Sequence, residues 1–526
     1  MIGVLFSNAS AVAGRHVLAA VRRSVSSMQA QAVSRGALRS AALKLILAVD
    51  LPQEWDSDLF EWLHAGPPRK LILFGRVPAC LAREFNIEST TWSSELEADS
   101  RSEAAPSRES RESRAAVCYG QLAEQLGGRA WRRPFERFDF ADEWNNLGFG
   151  RIRHDGSVWA VAQAARVPAE AELASVQVGG ERQFSYAALW DTRAASVLWV
   201  NRAVGPCDSF EWRIVENFLS GYRASELPCQ PVLSEIPWGY DAAITSRLDC
   251  DESVEASRPL WEAYQRLNVP FSLAVNTQNL VRPEEHRILW ELLVDQGQGA
   301  VLSHTASHAP NWGGSYEAAL EEGRQSAQAL HIVTGNRVRY AVSPFHQSPH
   351  YALHALADAG YEGCIGGIIR NDPEFVLARG GSLAGMPAGF VGHSQQCMLH
   401  GDCMLADRDP LAVFKQAFDL AYETRTLFGY LDHPFSPRYQ YGWIDEASRI
   451  AAHEHLIAYI RGRTRHAVFM TAVGALDFLQ LKSRVQVIEE VGAYRVVTPA
   501  AANVPYALGV EFAGSHLKIE PGKPLQ

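Results

Sequence analysis

Short apolar runs alternate with stretches of helical period through most of this chain, and the spacing of the two changes three times. Residues 2–7, 44–50 and 70–75 are short, apolar runs rich in β-branched residues or Leu, and windows of 3.6-residue period lie between them at 11–23 and 57–64. That alternation predicts a small α/β layer with a mostly parallel sheet, resembling a flavodoxin-like arrangement, over residues 1–96. Residues 97–115 carry a Ser/Arg/Glu-rich run with little to bury and read as a linker. From 116 to 236 the runs shorten (158–165, 173–178, 196–200) and Gly179-Gly180 marks a turn, which predicts a β-rich or mixed module with a helix near 209–222. Trp190, Trp199 and Trp212 in this module read as core.

From 237 to 481 a regular strand–helix alternation returns. Strands are predicted at 242–248, 271–276, 299–303, 338–342, 363–366, 426–431 and 467–471, with helices at 258–267, 284–296, 315–331, 349–359 and 444–461. Seven such units predict an α/β fold of the distorted (β/α)7 barrel kind. The last stretch, 482–526, alternates strictly and predicts a few antiparallel strands packed on the barrel.

The 526 residues are too many for one ordinary core, and 47% hydrophobic residues are enough to fill two to four. With 49 basic and 59 acidic residues the net charge is −10, and no basic run is present, which argues against a nucleic-acid partner. No stretch approaches the roughly 20 apolar residues that span a bilayer. The first 25 residues lack a basic n-region and read as strand and helix rather than a secretory signal. The eight cysteines are scattered without paired spacing and read as reduced thiols, so a cytoplasmic location is expected. Cys80 lacks the flanking glycines of a nucleophile elbow, and the first strand is followed by SNASAVAG rather than GxGxxG, so neither chemistry is claimed.

The candidate chemistry clusters at predicted strand ends. Asp249 and Asp251 follow the first strand of the third segment, His304 and His308 follow the third, and His433 follows the sixth. In a β/α barrel these positions share one rim, where loops converge on a point. Two carboxylates two residues apart at a strand end are costly to bury without a cation or a proton. Two imidazoles four residues apart reach one ion, and adding one carboxylate makes a three-ligand site with room for water. A metal there polarises a carbonyl and acidifies water for a neighbouring carboxylate.

These residues resemble the polysaccharide deacetylase (NodB-homology, carbohydrate esterase family 4) superfamily over about residues 240–480. Arg247-Leu248-Asp249-Cys250-Asp251-Glu252 resembles the DxD form of its first motif, Ser303 to His308 its H(S/T)xxH motif, and Leu431-Asp432-His433-Pro434 its LxH motif. The resemblance implies Asp249 as general base, Asp251, His304 and His308 as metal ligands, and His433 as general acid. The implied cofactor is one divalent metal, zinc first, with cobalt, nickel or manganese as alternatives. The third motif, RxP(Y/F) in the family, reads Val342-Ser343-Pro344-Phe345 here. Its Pro344-Phe345 half remains and could help hold the oxyanion, but its arginine is a valine, and Arg247 or Arg370 is a candidate substitute. A DxxDW-like fourth motif is missing between 364 and 425. Trp312 and Trp443 are candidate sugar-stacking residues or packing residues. His346, His350, His393 and His400 read as surface or packing.

Three readings follow. The first is a hydrolase that removes an N-acyl group, acetyl first, from an amino sugar in a glycan or glycan precursor. The second keeps the metal site but acts on a small amide, as allantoinase- or deformylase-like enzymes do. The third is a catalytically silent glycan-binding protein of a polysaccharide assembly system. Oligomeric state is left open by the sequence.

Overall fold

The computed structural model describes residues 1–40, 42–94, 96, 115–134, 156–206, 208, 211–294, 298–367, 373–394, 397–399, 401, 409–490, 493–499, 504–520 and 522–525. Of the expected linker at 97–115 only Ala115, in a strand, is among them; residues 97–114, Arg370 and His400 lie outside.

The parallel strands Ile2–Leu5, Leu45–Val49 and Arg69–Phe74 form where the apolar runs predict them, and Ala30–Val33 extends their sheet on one edge. Each of the three is buried along its whole length, as strands covered on both faces are. The sheet does not stop at the linker. Arg69–Phe74 pairs in parallel with Ala195–Val200, which continues through Glu181–Asp191 and Glu172–Val178 to Ala115–Tyr119 and Trp131–Pro134. Segments 1–96 and 116–236, expected as two modules, therefore contribute to one nine-stranded mixed sheet. The expected strand at 158–165 is instead irregular, with an isolated bridge at Val161 and a two-residue strand at Ala165–Arg166.

The third segment builds a ten-stranded, largely parallel sheet. Ala242–Cys250 lies within it, flanked by Phe271–Val275, Phe428–Asp432 and Ala467–Thr471, and the order continues through Gly299–Ser303, Tyr340–Val342 and Gly363–Gly366. Its two ends are Gly381–Ser382 and Cys397–Met398. This large parallel sheet with covering helices agrees with the expected α/β class. Helices Ala412–Thr424 and Ala472–Arg484, which the periodicity reading passed over, supply buried faces to two of the cores. At the C-terminus, Gln486–Glu490 pairs antiparallel with Ala493–Val497, and Gly509–Phe512 with Ser515–Lys518, as the alternation predicts.

Register aligns the strand ends. Asp249 is level with Ala274, Val275 with Ser303, Ser303 with Ala341, and Leu248 with Asp432. The C-terminal ends of five strands thus meet at one height.

Candidate metal centre

The first strand runs two residues past its expected end, so Arg247 and Asp249 lie on it and Asp251 just beyond. A strand's side chains alternate between faces, which sends Arg247, Asp249 and Asp251 the same way. Arg247 and Asp249 are both buried and form a two-point pair, Nε donating to Oδ1 at 2.8 Å and Nη2 to Oδ2 at 3.2 Å. Burial alone would raise the Asp249 carboxyl, but the Arg247 charge, aided by His304 and His433, holds it below its ordinary value.

The loop after Asp251 is pinned by the buried Glu285, whose carboxylate accepts from the backbone N–H groups of Val254 and Glu255 at 2.6 and 2.9 Å. A second carboxylate fixes the histidine loop: Glu322 accepts from the N–H groups of Ala306 and Ser307, both at 2.9 Å. Thr305 and His308 take positive φ angles of 68° and 56°, and the His308 N–H donates to Thr305 Oγ1 at 2.8 Å. This tight turn folds His308 back over His304.

Nδ1 of His304 lies 3.1 Å from the Val342 carbonyl, which assigns its proton to Nδ1 and leaves a lone pair on Nε2. That Nε2 is 3.0 Å from His308 Nε2 and 3.2 Å from Asp251 Oδ1, and His308 Nε2 is 3.4 Å from the same oxygen. Three potential ligand atoms thus converge, and a cation among them would accept a lone pair from each. Tetrahedral coordination with bonds of about 2.05 Å has edges of about 3.3 Å, so the spacings fit an ion such as zinc. Burial opposes a charge on His304, yet Asp249 and Asp251 raise it, so a positive charge, proton or metal ion, is favoured between His304 and Asp251. Burial would raise the Asp251 carboxyl, yet His304, His433 and His308 hold it well below the usual carboxylate range. Burial and the neighbouring His304 pull His308 down to about 4, so its ring is neutral, and free to ligate, at neutral pH.

Tyr439 closes one side. Its hydroxyl donates to Asp251 Oδ2 at 2.8 Å, and its ring lies parallel to His433 with centroids 4.8 Å apart. His433 Nε2 is 3.9 Å from Asp251 Oδ2. The backbone of His433 is held at both polar groups, its N–H by Asp432 Oδ1 at 2.7 Å and its carbonyl by Arg449 Nη1 at 2.5 Å. Asp432 is buried with Arg449 and with His453, whose Nε2 is 2.9 Å away, and His453 leads on to Tyr264 and Tyr430. His433 is thereby fixed from behind.

These groups open on a pocket of about 220 Å³ that Ser343, Phe345, His346, Met398, Arg438 and Tyr441 also line. Every expected catalytic residue and ligand is brought together here, and Phe345 faces His308 with ring centroids 4.6 Å apart. Pro344 is buried and starts the turn that presents Phe345, whose φ is 52°. The two tryptophans are placed elsewhere. Trp312 is 0% exposed and donates to the Gln347 carbonyl at 3.0 Å, and Trp443 is buried in the core under helix Ala412–Thr424. Both take the packing role. His346, expected as surface or packing, lines the pocket; burial, then the Arg247 charge, depress it to about 3 and keep it neutral. Tyr439 and Tyr441 were not singled out by sequence.

No family model matches the chain, and no curated protein matches it by sequence. Solved structures do match. They include carbohydrate deacetylases and an allantoinase. Agd3, described as a novel carbohydrate deacetylase, is 10% identical, with 100% of this chain and 98% of that one covered and a TM-score of 0.41. The chitin deacetylase of the fungal pathogen Colletotrichum lindemuthianum is 14% identical, covering 46% of this chain and 89% of its own, with a TM-score of 0.31. Puue allantoinase is 10% identical over 46% of this chain and 90% of its own, with a TM-score of 0.37. Among the described residues no helix is long and apolar enough to cross a membrane.

Proposed function

We propose that the chain is a metal-dependent hydrolase removing an N-acyl group, acetyl first, from an amino sugar of a glycan or glycan precursor, on a distorted barrel. The observation that carries this reading is the convergence of Asp251, His304 and His308 beside a second, separately held carboxylate, Asp249. A divalent ion held by the three ligands would polarise the acyl carbonyl and acidify water in the pocket. Asp249, its two oxygens fixed by Arg247, retains lone pairs to take the proton of the attacking water. Arg247 thus does for the base what the missing motif-three arginine does in the family that the motifs resemble. His433, in the same pocket, delivers a proton to the departing amine, and its stack with Tyr439 keeps the ring in one plane. Phe345, on the turn that Pro344 starts, lines the same pocket, and its backbone N–H would help hold the acyl oxygen.

The test is acetate release from N-acetylated oligosaccharides by zinc-, cobalt-, nickel- or manganese-loaded protein, compared with Asp249→Asn. Turnover by the wild type and loss in a variant that still binds metal support the assignment; equal turnover by the variant overturns it. A pocket of about 220 Å³ also admits a compact amide, so cyclic and formylated amides belong in the same screen. Turnover of those alone would move the reading to the small-amide class. Glycan binding without turnover, whatever the metal, would move it to a silent binding protein.

A further inference from the structure

A larger cavity, of about 610 Å³, lies where the N-terminal sheet meets the third segment, and it shares no lining residue with the Asp251 pocket. Its walls are helix Ala11–Ser24, helix Ala472–Arg484 and the segment 380–389, which includes the edge strand Gly381–Ser382. Arg15, Arg22, Arg23, Lys482 and Arg484 line it, and no Asp or Glu does among the described residues.

Arg22, Arg23, Lys482 and Arg484 sit in the last turns of the two helices, where cations offset the carbonyl end of the helix dipole. That accounts for charges at the surface. It does not account for Lys482, which is 3% exposed and whose Nζ has no hydrogen-bond partner among the described residues. An ammonium in that position costs free energy unless an anion meets it. The carboxylates whose charge reaches it, Glu235 and Glu216, are already engaged. Glu216 accepts from Arg379 at 2.7 and 3.0 Å and from Ser24 at 2.8 Å, and Glu235 accepts from the N–H groups of Gly380 and Leu427. Burial pulls Lys482 down to about 8, which still leaves it mainly charged at neutral pH. Arg23 is committed to the wall through the carbonyls of Ser382 and Leu377, Arg22 gives its Nε to the Ala30 carbonyl at 3.0 Å, and Arg15, Arg22 and Arg484 are exposed at the rim. Leu18, Leu383, Met386 and Leu479 give the same cavity an apolar side.

We propose that this cavity binds a phosphate- or diphosphate-bearing molecule, with the phosphoryl oxygens on Lys482 and the rim arginines and an apolar or ring portion against the leucines and Met386. Guanidinium forks match phosphoryl oxygens in pairs, and the cavity lies within the size range of small-molecule sites. The phosphate belongs either to a soluble ester or to a lipid headgroup.

Equilibrium dialysis of the full chain with radiolabelled inorganic pyrophosphate, at low salt, tests the site. The expected result is saturable binding of about one equivalent, weakened at least about tenfold in Lys482→Met and in Arg15→Ala/Arg484→Ala. The rim variant alters only exposed side chains, so it remains informative where Lys482→Met fails to fold. Co-sedimentation with phosphatidic acid vesicles, competed by pyrophosphate and lost in the rim variant, would assign the headgroup source; pyrophosphate binding without vesicle binding assigns the soluble one. No saturable binding to either probe, or binding unchanged in both variants, overturns the proposal.

Discussion

Removing Arg247 perturbs the candidate base without touching a metal ligand. Arg247 and Asp249 are each about 5% exposed or less and meet through two hydrogen bonds, so Arg247→Met leaves a buried carboxylate uncompensated. At 2.8 Å and an effective dielectric of about 20 the direct attraction is about 6 kcal/mol, most of it offset by desolvation. Breaking such a pair by deleting one partner costs about 3–5 kcal/mol, and Asp249→Asn should cost a similar amount. The double variant should cost little more than either single one, giving a coupling of about 3 kcal/mol. Activity should follow the same logic. Asp249→Asn should lower kcat/KM by about 10²–10⁴, Arg247→Met by about 10², and the pair no further than Asp249→Asn alone. Chemical denaturation and acetate-release kinetics on all four proteins form the cycle. Additive losses of activity, or an Arg247→Met enzyme with unchanged kcat/KM, would refute the role given to Arg247.

Tyr439→Phe removes the hydroxyl that donates to Asp251 and keeps the ring on His433; metal affinity, read by chelator competition, should fall about 10–100-fold while the fold is retained. Glu216 is buried against Arg379, and although burial raises its carboxyl, the Arg379 charge and hydrogen bonds hold it at about 2. A depressed carboxyl stabilises the fold above its unfolded pKa, near 4.5, and that contribution drains away as pH falls from there to about 2. The difference between 4.5 and about 2 corresponds to about 3 kcal/mol, so denaturation midpoints should drop between pH 5 and pH 2.5, and less steeply in Glu216→Gln.

Much of the candidate site is legible because its parts are local. DxD, HxxxH and LDHP each occupy one strand end, and the strand alternation that locates them needs only a few residues of context. Arg247 carried a usable signal as well: it is two residues before Asp249, and a strand period of 2 puts both on one face. His346 and Tyr439 had no such signal. His346 enters through the positive-φ turn at Phe345 and His346, and Tyr439 through an irregular loop six residues beyond His433. Aromatic spacing could not separate the buried Trp312 from a sugar platform, because the distinction depends on the helices around it. The nine-stranded sheet was missed for a related reason. Pairing Arg69–Phe74 with Ala195–Val200 joins strands about 120 residues apart, and no local pattern encodes that partner. Helix Ala472–Arg484 shows buried residues on several sides, so its apolar stripe is too broad to stand out by period.

The central claim is the three-ligand metal centre, and elemental mass spectrometry of purified protein tests it most directly. About one zinc, cobalt, nickel or manganese per chain in the wild type, lost in His304→Ala, is the predicted result. No divalent metal in either protein after soaking and dialysis would contradict it.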